Sequence, residues 1–279
     1  MIKPVFILPA LATALAAAQP VAMVVDLAGK ATWDRIASVH ITDAVMPERL
    51  LSLEPGARVV VVFLKTGTEQ VFAGPAQIRF KADGGVEGGQ AASTRRLQAL
   101  QGKLQLRPAP LAQASVVMKE MVFEPGFRID DWPRLKPGGP GLLDPSTEFT
   151  WAPLAGAKYT LRITDDKHRP VLEVTGPEAR LKLPVPSPLR GGCTYGWSLV
   201  AECPNGSRRS ETGHFRLLDE AERDGLQAAK PGPEAGFADR LLYASLLDQL
   251  EVKDEAKALW QALARERPED PNLRRLSGD

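Results

Sequence analysis

SLEPGARVVVVFLKTGTEQVFAGPAQIRFKADGG, residues 52–85, is the stretch whose reading decides the fold class. Pro55-Gly56 turns the chain into Val59-Val-Val-Val-Phe-Leu. Lys65-Thr-Gly67-Thr then turns it into Gln70-Val-Phe, Gly74-Pro75 breaks the run, and Gln77-Ile-Arg-Phe-Lys alternates apolar and polar side chains. Short β-branched runs separated by Gly and Pro predict strands of a small sheet or barrel. Ala22-Met-Val-Val-Asp-Leu, ending before Gly29, and Ala37-Ser-Val-His-Ile-Thr read as further strands of the same unit.

The order of these pieces resembles an exported FecR-like domain: an early strand with Gly29, the LEPGARVVV turn and strand, and the LKTGTEQVFAGPAQIRF hairpin. Two departures stand beside the likeness. Thr66-Gly67 replaces the family's frequent Asp-Gly, and Met46-Pro-Glu stands where a Gly-Asp is usual. The resemblance implies a β domain of sensory origin over residues 19–125.

The N-terminus reads as a cleavable export signal. Lys3 gives a positive start, Pro4 to Leu15 is largely apolar, and Ala16-Ala17-Ala18 offers a small-x-small cleavage site before Gln19. The apolar run is shorter than the roughly 20 residues of a comfortable membrane span. The expectation is a signal peptide over 1–18 and a periplasmic mature protein, touching a membrane only if that segment stays uncleaved. What remains is long enough for two or three domains. With 35 Lys+Arg against 34 Asp+Glu, the chain lacks the basic excess of a dedicated nucleic-acid binder.

Residues 126–141 are rich in Pro and Gly and read as a linker, and Thr94-Arg-Arg-Leu-Gln-Ala-Leu-Gln reads as a short helix. RPAPLAQASVVMKEMVF, before the linker, holds one further strand-like run. A second β unit begins near residue 142. Phe149 and Trp151 share one face, as do Tyr159, Leu161 and Ile163. Leu172 and Val174 mark a third strand, Leu181 and Leu183 a fourth. In CTYGWSLVAEC, Tyr195, Trp197, Leu199 and Ala201 share a face, and Pro204-Asn205-Gly206 is a strong turn. Six or seven short strands at this spacing predict a β-sandwich over 142–218. The pieces FTWAP, AKYTLRITDD and LRGGCTYGWSLVAECPNGSRRSETGHFRL resemble a bacterial fibronectin type III-like domain. Trp151 is expected in its core rather than on a carbohydrate.

Residues 219–279 change character. Asp219-Glu-Ala-Glu-Arg opens a polar helix, which KPGPEAG breaks. Leu242, Ser245, Leu246 and Leu250 then form one helical stripe, and Ala256, Trp260 and Leu263 another, with Pro268 ending the second helix. Ala244, Ala256-x3-Trp260 and Pro268 resemble a single tetratricopeptide repeat, although Ala244 stands where the family prefers Gly and Leu263 where it prefers a small residue. A lone repeat leaves an apolar face. Leu246, Leu250, Trp260 and Leu263 are the candidate partner-binding residues, to be covered by the sandwich, a second copy or another protein. The fold class expected is therefore mainly β: a FecR-like β domain plus a fibronectin III-like sandwich, with a C-terminal α-helical hairpin.

No constellation for catalysis, cofactor or metal binding is found. His40, His168 and His214 are dispersed, and Asp165-Asp166 beside His168 fits a turn better than a metal site. Gly191-Gly192-Cys193 lacks a neighbouring base, and Asp130 and Asp131 are adjacent and point apart in an extended chain. Cys193 and Cys203 would lie roughly 33 Å apart along one strand, far beyond disulfide reach, so two free thiols are expected. The expected function is a non-enzymatic periplasmic scaffold binding another envelope protein. The alternatives are a peptidoglycan or glycan binder using Trp33 and Trp132, and a FecR-type sensor, although that family's cytoplasmic segment and membrane span do not precede this domain.

Overall fold

Arg58–Phe63 (β6) is the central strand of the N-terminal unit, with side chains buried on both of its faces. The computed structural model describes residues 19–97, 135–136, 141–142, 148–182, 184 and 187–278. Around β6 lie β1 (Ala22–Ala28), β4 (Ala44–Val45), β7 (Thr68–Ala73) and β10 (Ser93–Arg96), in the order β10-β7-β6-β1-β4. A second sheet runs β3-β2-β5-β8-β9, from β2 (Ala31–Trp33), β3 (Ala37–Ser38), β5 (Leu50–Leu53), β8 (Ala76–Phe80) and β9 (Val86–Glu87). Val24, Val59, Val61 and Phe63 of the first sheet meet Trp33, Leu51, Ile78 and Phe80 of the second. Alternate residues of the same strands, Met23, Val25, Val60, Val62 and Val71, face the other way and are also buried.

Thr94–Arg96 is not helical: it lies in β10, pairing antiparallel with β7 at Thr94↔Gln70 and Arg96↔Thr68. The exposed edge of β7 supplies backbone partners for the segment, and Arg95 reaches Glu69 across the pair at 2.7 Å. Tertiary pairing overrides the helical propensity. The expected signal segment 1–18, the strand-like run within 107–123, Asp130, Asp131, Trp132 and Leu183 lie outside the described residues.

The second unit is a β-sandwich. Its larger sheet runs β11-β17-β16-β13-β14, from β11 (Gly141–Leu142), β13 (Lys158–Thr164), β14 (Pro170–Gly176), β16 (Thr194–Glu202) and β17 (Arg208–Leu217). Its smaller sheet pairs β12 (Glu148–Thr150) with β15 (Arg180–Lys182). Phe149, Tyr159, Leu161, Ile163, Tyr195, Leu199 and Phe215 fill the interior. Trp151 is buried there, edge-on to Tyr159 with centroids 5.5 Å apart; Trp197 lies at the margin, half-buried. From the stretch read as a linker, Leu135 is buried in this core and Lys136 bridges to Thr150.

Four helices follow: α1 (Glu220–Ala229), α2 (Phe237–Gln249), α3 (Lys253–Glu266) and α4 (Pro271–Ser277). Asp219 caps α1 in a reciprocal capping box with Glu222. The fourth helix was not anticipated; Asp270 as N-cap and Pro271 in the first turn carry its start signal. Their apolar side packs on the first sheet of the N-terminal unit, making a three-layer stack of sheet, sheet and helices. Leu241, Leu242, Leu246, Leu247, Trp260, Leu263 and Leu273 share one core with Met23, Val25, Val60 and Val62. Residues 19–97 and 219–278 thus form one packed body, with the sandwich between them in sequence.

Candidate functional site

Three of the four residues singled out for partner binding are inside this body. Leu246 and Leu263 are fully buried and Trp260 is 3 % exposed, while Leu250 sits half-buried at the margin. The expected cover for the stripe was the sandwich, a second copy or another protein; the cover present is the N-terminal sheet of the same chain. Burying such side chains stabilises by about 1.5–3 kcal/mol each, so Leu246, Trp260 and Leu263 are held within the chain's own core. Among the described residues the Trp260 indole N–H meets no acceptor, and the contribution seen for Trp260 is packing.

Polar groups fasten the edges of this interface. Where α4 begins, the connection between β3 and β4 runs across its N-terminus. Ile41 N–H donates to Asp270 Oδ2 at 2.9 Å, while Asp270 Oδ1 accepts from the amides of Asn272 and Leu273. The Asn272 side-chain amide donates to Ile41 C=O at 2.9 Å and to Asp43 Oδ1 at 3.2 Å. Asp43 Oδ2 in turn accepts from Trp33 Nε1 and His40 N–H. Asp270 and Asn272 are at least nine-tenths buried, and every carboxylate oxygen of the node has a donor. Such satisfied networks fix one arrangement of the layers, because leaving any member unpaired costs about 1–3 kcal/mol.

At the other edge, Arg95 clasps buried Glu69 in a bidentate pair at 2.7 and 2.9 Å and also reaches Asp239 at the start of α2. The Glu69 hydrogen bond, and then that from Asp239, hold its guanidinium still more firmly in the charged form. Arg267 lies 4.7 Å over the Phe237 ring and pairs with Asp26 of β1 at 3.3 Å. Arg240 on α2 holds Glu266 on α3 at 2.6 and 2.8 Å, which draws the Glu266 carboxyl below its ordinary range. Arg95, Asp270 and Asn272 escaped sequence reading because the partners they hold across the layers lie far away in the chain, Glu69 26 residues from Arg95 and Asp239, Ile41 and Asp43 more than a hundred from theirs; the Asp270-Pro271 start signal was the one local clue.

The groups weighed for chemistry are dispersed. His40 Nδ1 lies 4.0 Å from Asp270 Oδ2, but that carboxylate is already engaged by backbone amides. His168 and His214 are exposed on the sandwich. Asp165 pairs with the Arg169 side chain and accepts from the amides of Arg169 and Lys167, which holds its carboxyl below the ordinary range and makes it a turn residue. Gly191-Gly192 does turn the chain into β16. Cys193 is exposed, Cys203 half-buried, and both are free thiols flanking β16. Among the described residues no group of three His, Cys, Asp or Glu is placed to hold a metal ion, and no helix is long and apolar enough to cross a membrane. Trp33, one of the two tryptophans considered for glycan stacking, is 2 % exposed and belongs to the N-terminal core. A scan against protein-family models finds no match, and a search of curated proteins finds none either.

Proposed function

We propose that this protein is a non-enzymatic scaffold of the cell envelope, exported to the periplasm, that binds another envelope protein through the surfaces of its β units. The observation that carries the reading is where the chemistry-bearing side chains go. Asp43, Glu69, Asp239, Asp270 and Asn272 are spent on holding layers together, leaving the surface to recognition. Among the described residues no aromatic side chain is exposed, which favours a protein partner over a glycan.

The likeness to a fibronectin type III-like module gains support from two features. The order β17-β16-β13-β14, facing a β12-β15 pair, is the order immunoglobulin-type sandwiches use. Tyr195, near the start of β16, accepts a hydrogen bond from Arg190 N–H at 2.7 Å, five residues upstream, as the tyrosine corner of such folds does. Burial raises the Tyr195 phenol above its ordinary range, keeping it in the neutral form. Modules of this kind bind far more often than they catalyse.

Photo-crosslinking in intact cells tests the reading. A photoreactive residue replacing Ile36, which is 89 % exposed, or Thr212 on β17 should capture a discrete protein adduct. Retention of the full chain on purified peptidoglycan sacculi, with no protein adduct from either position, would move the assignment to the cell wall.

A further inference from the structure

The sandwich meets the helices, and through them the N-terminal unit, at two contacts that both lie at the end of β17. One is the passage from β17 into α1. Leu217 points into the sandwich core and Leu218, its neighbour, into the helix-and-sheet core. No linker intervenes, since Asp219 is already the N-cap of α1. Arg216 of β17 holds Glu222 of α1 through two hydrogen bonds of 2.9 and 2.8 Å. Gly191 packs against this passage, where a Cβ would stand 3.0 Å from Leu218 C=O.

The other place is β11. Gly141 pairs in parallel with Arg216 of the sandwich, and its N–H donates to Glu251 C=O in the turn between α2 and α3 at 2.9 Å. A Cβ on residue 141 would stand 2.4 Å from Leu250 C=O, closer than real Cβ atoms come. The absence of a side chain is what lets this strand lie between the sandwich edge and the helical turn. Leu250, half-buried at the edge of the helix-and-sheet core, belongs to that turn.

We infer that the helical segment is an intramolecular bracket, holding the second sandwich in one orientation against the N-terminal unit. The two attachments both reach β17 at Arg216, one through its side chain and one through its strand neighbour Gly141, but end on different elements, Glu222 of α1 and Glu251 of the α2–α3 turn, and together they restrict the rotation that a single covalent passage would leave. Domains joined by one linker and a small interface move relative to each other by default. This body instead presents both β surfaces at a fixed separation, which suits a partner touching both, because the second contact then forms at high effective concentration. The inference concerns geometry and stands whether or not the scaffold reading holds.

The test is a distance distribution between spin labels at Ile36→Cys and Lys158→Cys in the full chain, with Cys193 and Cys203 replaced by serine. Both label positions are exposed, one in each β unit. One narrow peak is expected, and Gly141→Val should broaden or split it while circular dichroism stays unchanged. A broad or multiple distribution in the parent overturns the inference. So does a Gly141→Val chain, folded in both units, that keeps the parental peak. If that variant fails to fold, Glu222→Ala loosens the other attachment, and an unaltered peak there counts equally against the bracket.

Discussion

Alanine substitution along β6 distinguishes a three-layer body from an ordinary sandwich with one wet face. Val59 and Val61 face the second sheet, and Val60 and Val62 face the helices; all four are at most 2 % exposed. Each Val→Ala change deletes two methylene equivalents, about 1.6 kcal/mol at ~0.8 kcal/mol each, and the cavity left behind raises the loss to roughly 2 kcal/mol. In a body of this size that lowers the melting temperature by about 4–8 °C. The same change on a solvent face costs less than about 0.5 kcal/mol. Urea and thermal unfolding of the four single variants, followed by tryptophan fluorescence and circular dichroism, should give four similar losses. Val200→Ala, on the outer face of β16, should give a much smaller one. The reasoning is refuted if Val59→Ala and Val61→Ala are costly while Val60→Ala and Val62→Ala are nearly neutral, because the helices would then not cover the sheet in solution.

Asp270→Ala removes the N-cap of α4 and strands the buried Ile41 amide, a combined loss of about 2–4 kcal/mol; hydrogen exchange at Ile41 should quicken, and unchanged exchange would count against the node. The Glu266 carboxyl is lowered by its hydrogen bonds to Arg240, so its contribution is present above the unfolded glutamate range and fades as pH falls through the lowered folded value. Arg240→Met should therefore narrow the stability difference between neutral and acidic conditions, as followed by pH-dependent melts. Native alkylation with a maleimide should modify exposed Cys193 well before half-buried Cys203, and mass spectrometry should find no bridge between them.

Local pattern carried the reading of most elements. The alternation Tyr159, Leu161, Ile163 and Tyr195, Trp197, Leu199 marked strands with one buried face, and β13 and β16 are such strands. The stripes Leu242, Ser245, Leu246, Leu250 and Ala256, Trp260, Leu263 marked two helices, and α2 and α3 are those helices. The run of four valines held more than was taken from it, since a strand without alternation is one covered on both sides. Thr94–Arg96 was misread because an edge strand draws its backbone partners from β7, a neighbour that no local window contains.

The sequence by itself determined that this chain is mainly β with helices at its end, which residues are apolar, and which face of each element they occupy. Only the tertiary structure decided what covers each face: the stripe that looked open to a partner closes on β1 and β6, some two hundred residues earlier. Hydrophobic burial is non-directional, so an apolar face requires a cover without specifying one. The choice among covers rests on shape and on directional groups such as Asp270, Asn272 and Arg95, whose partners become neighbours only when the chain has folded.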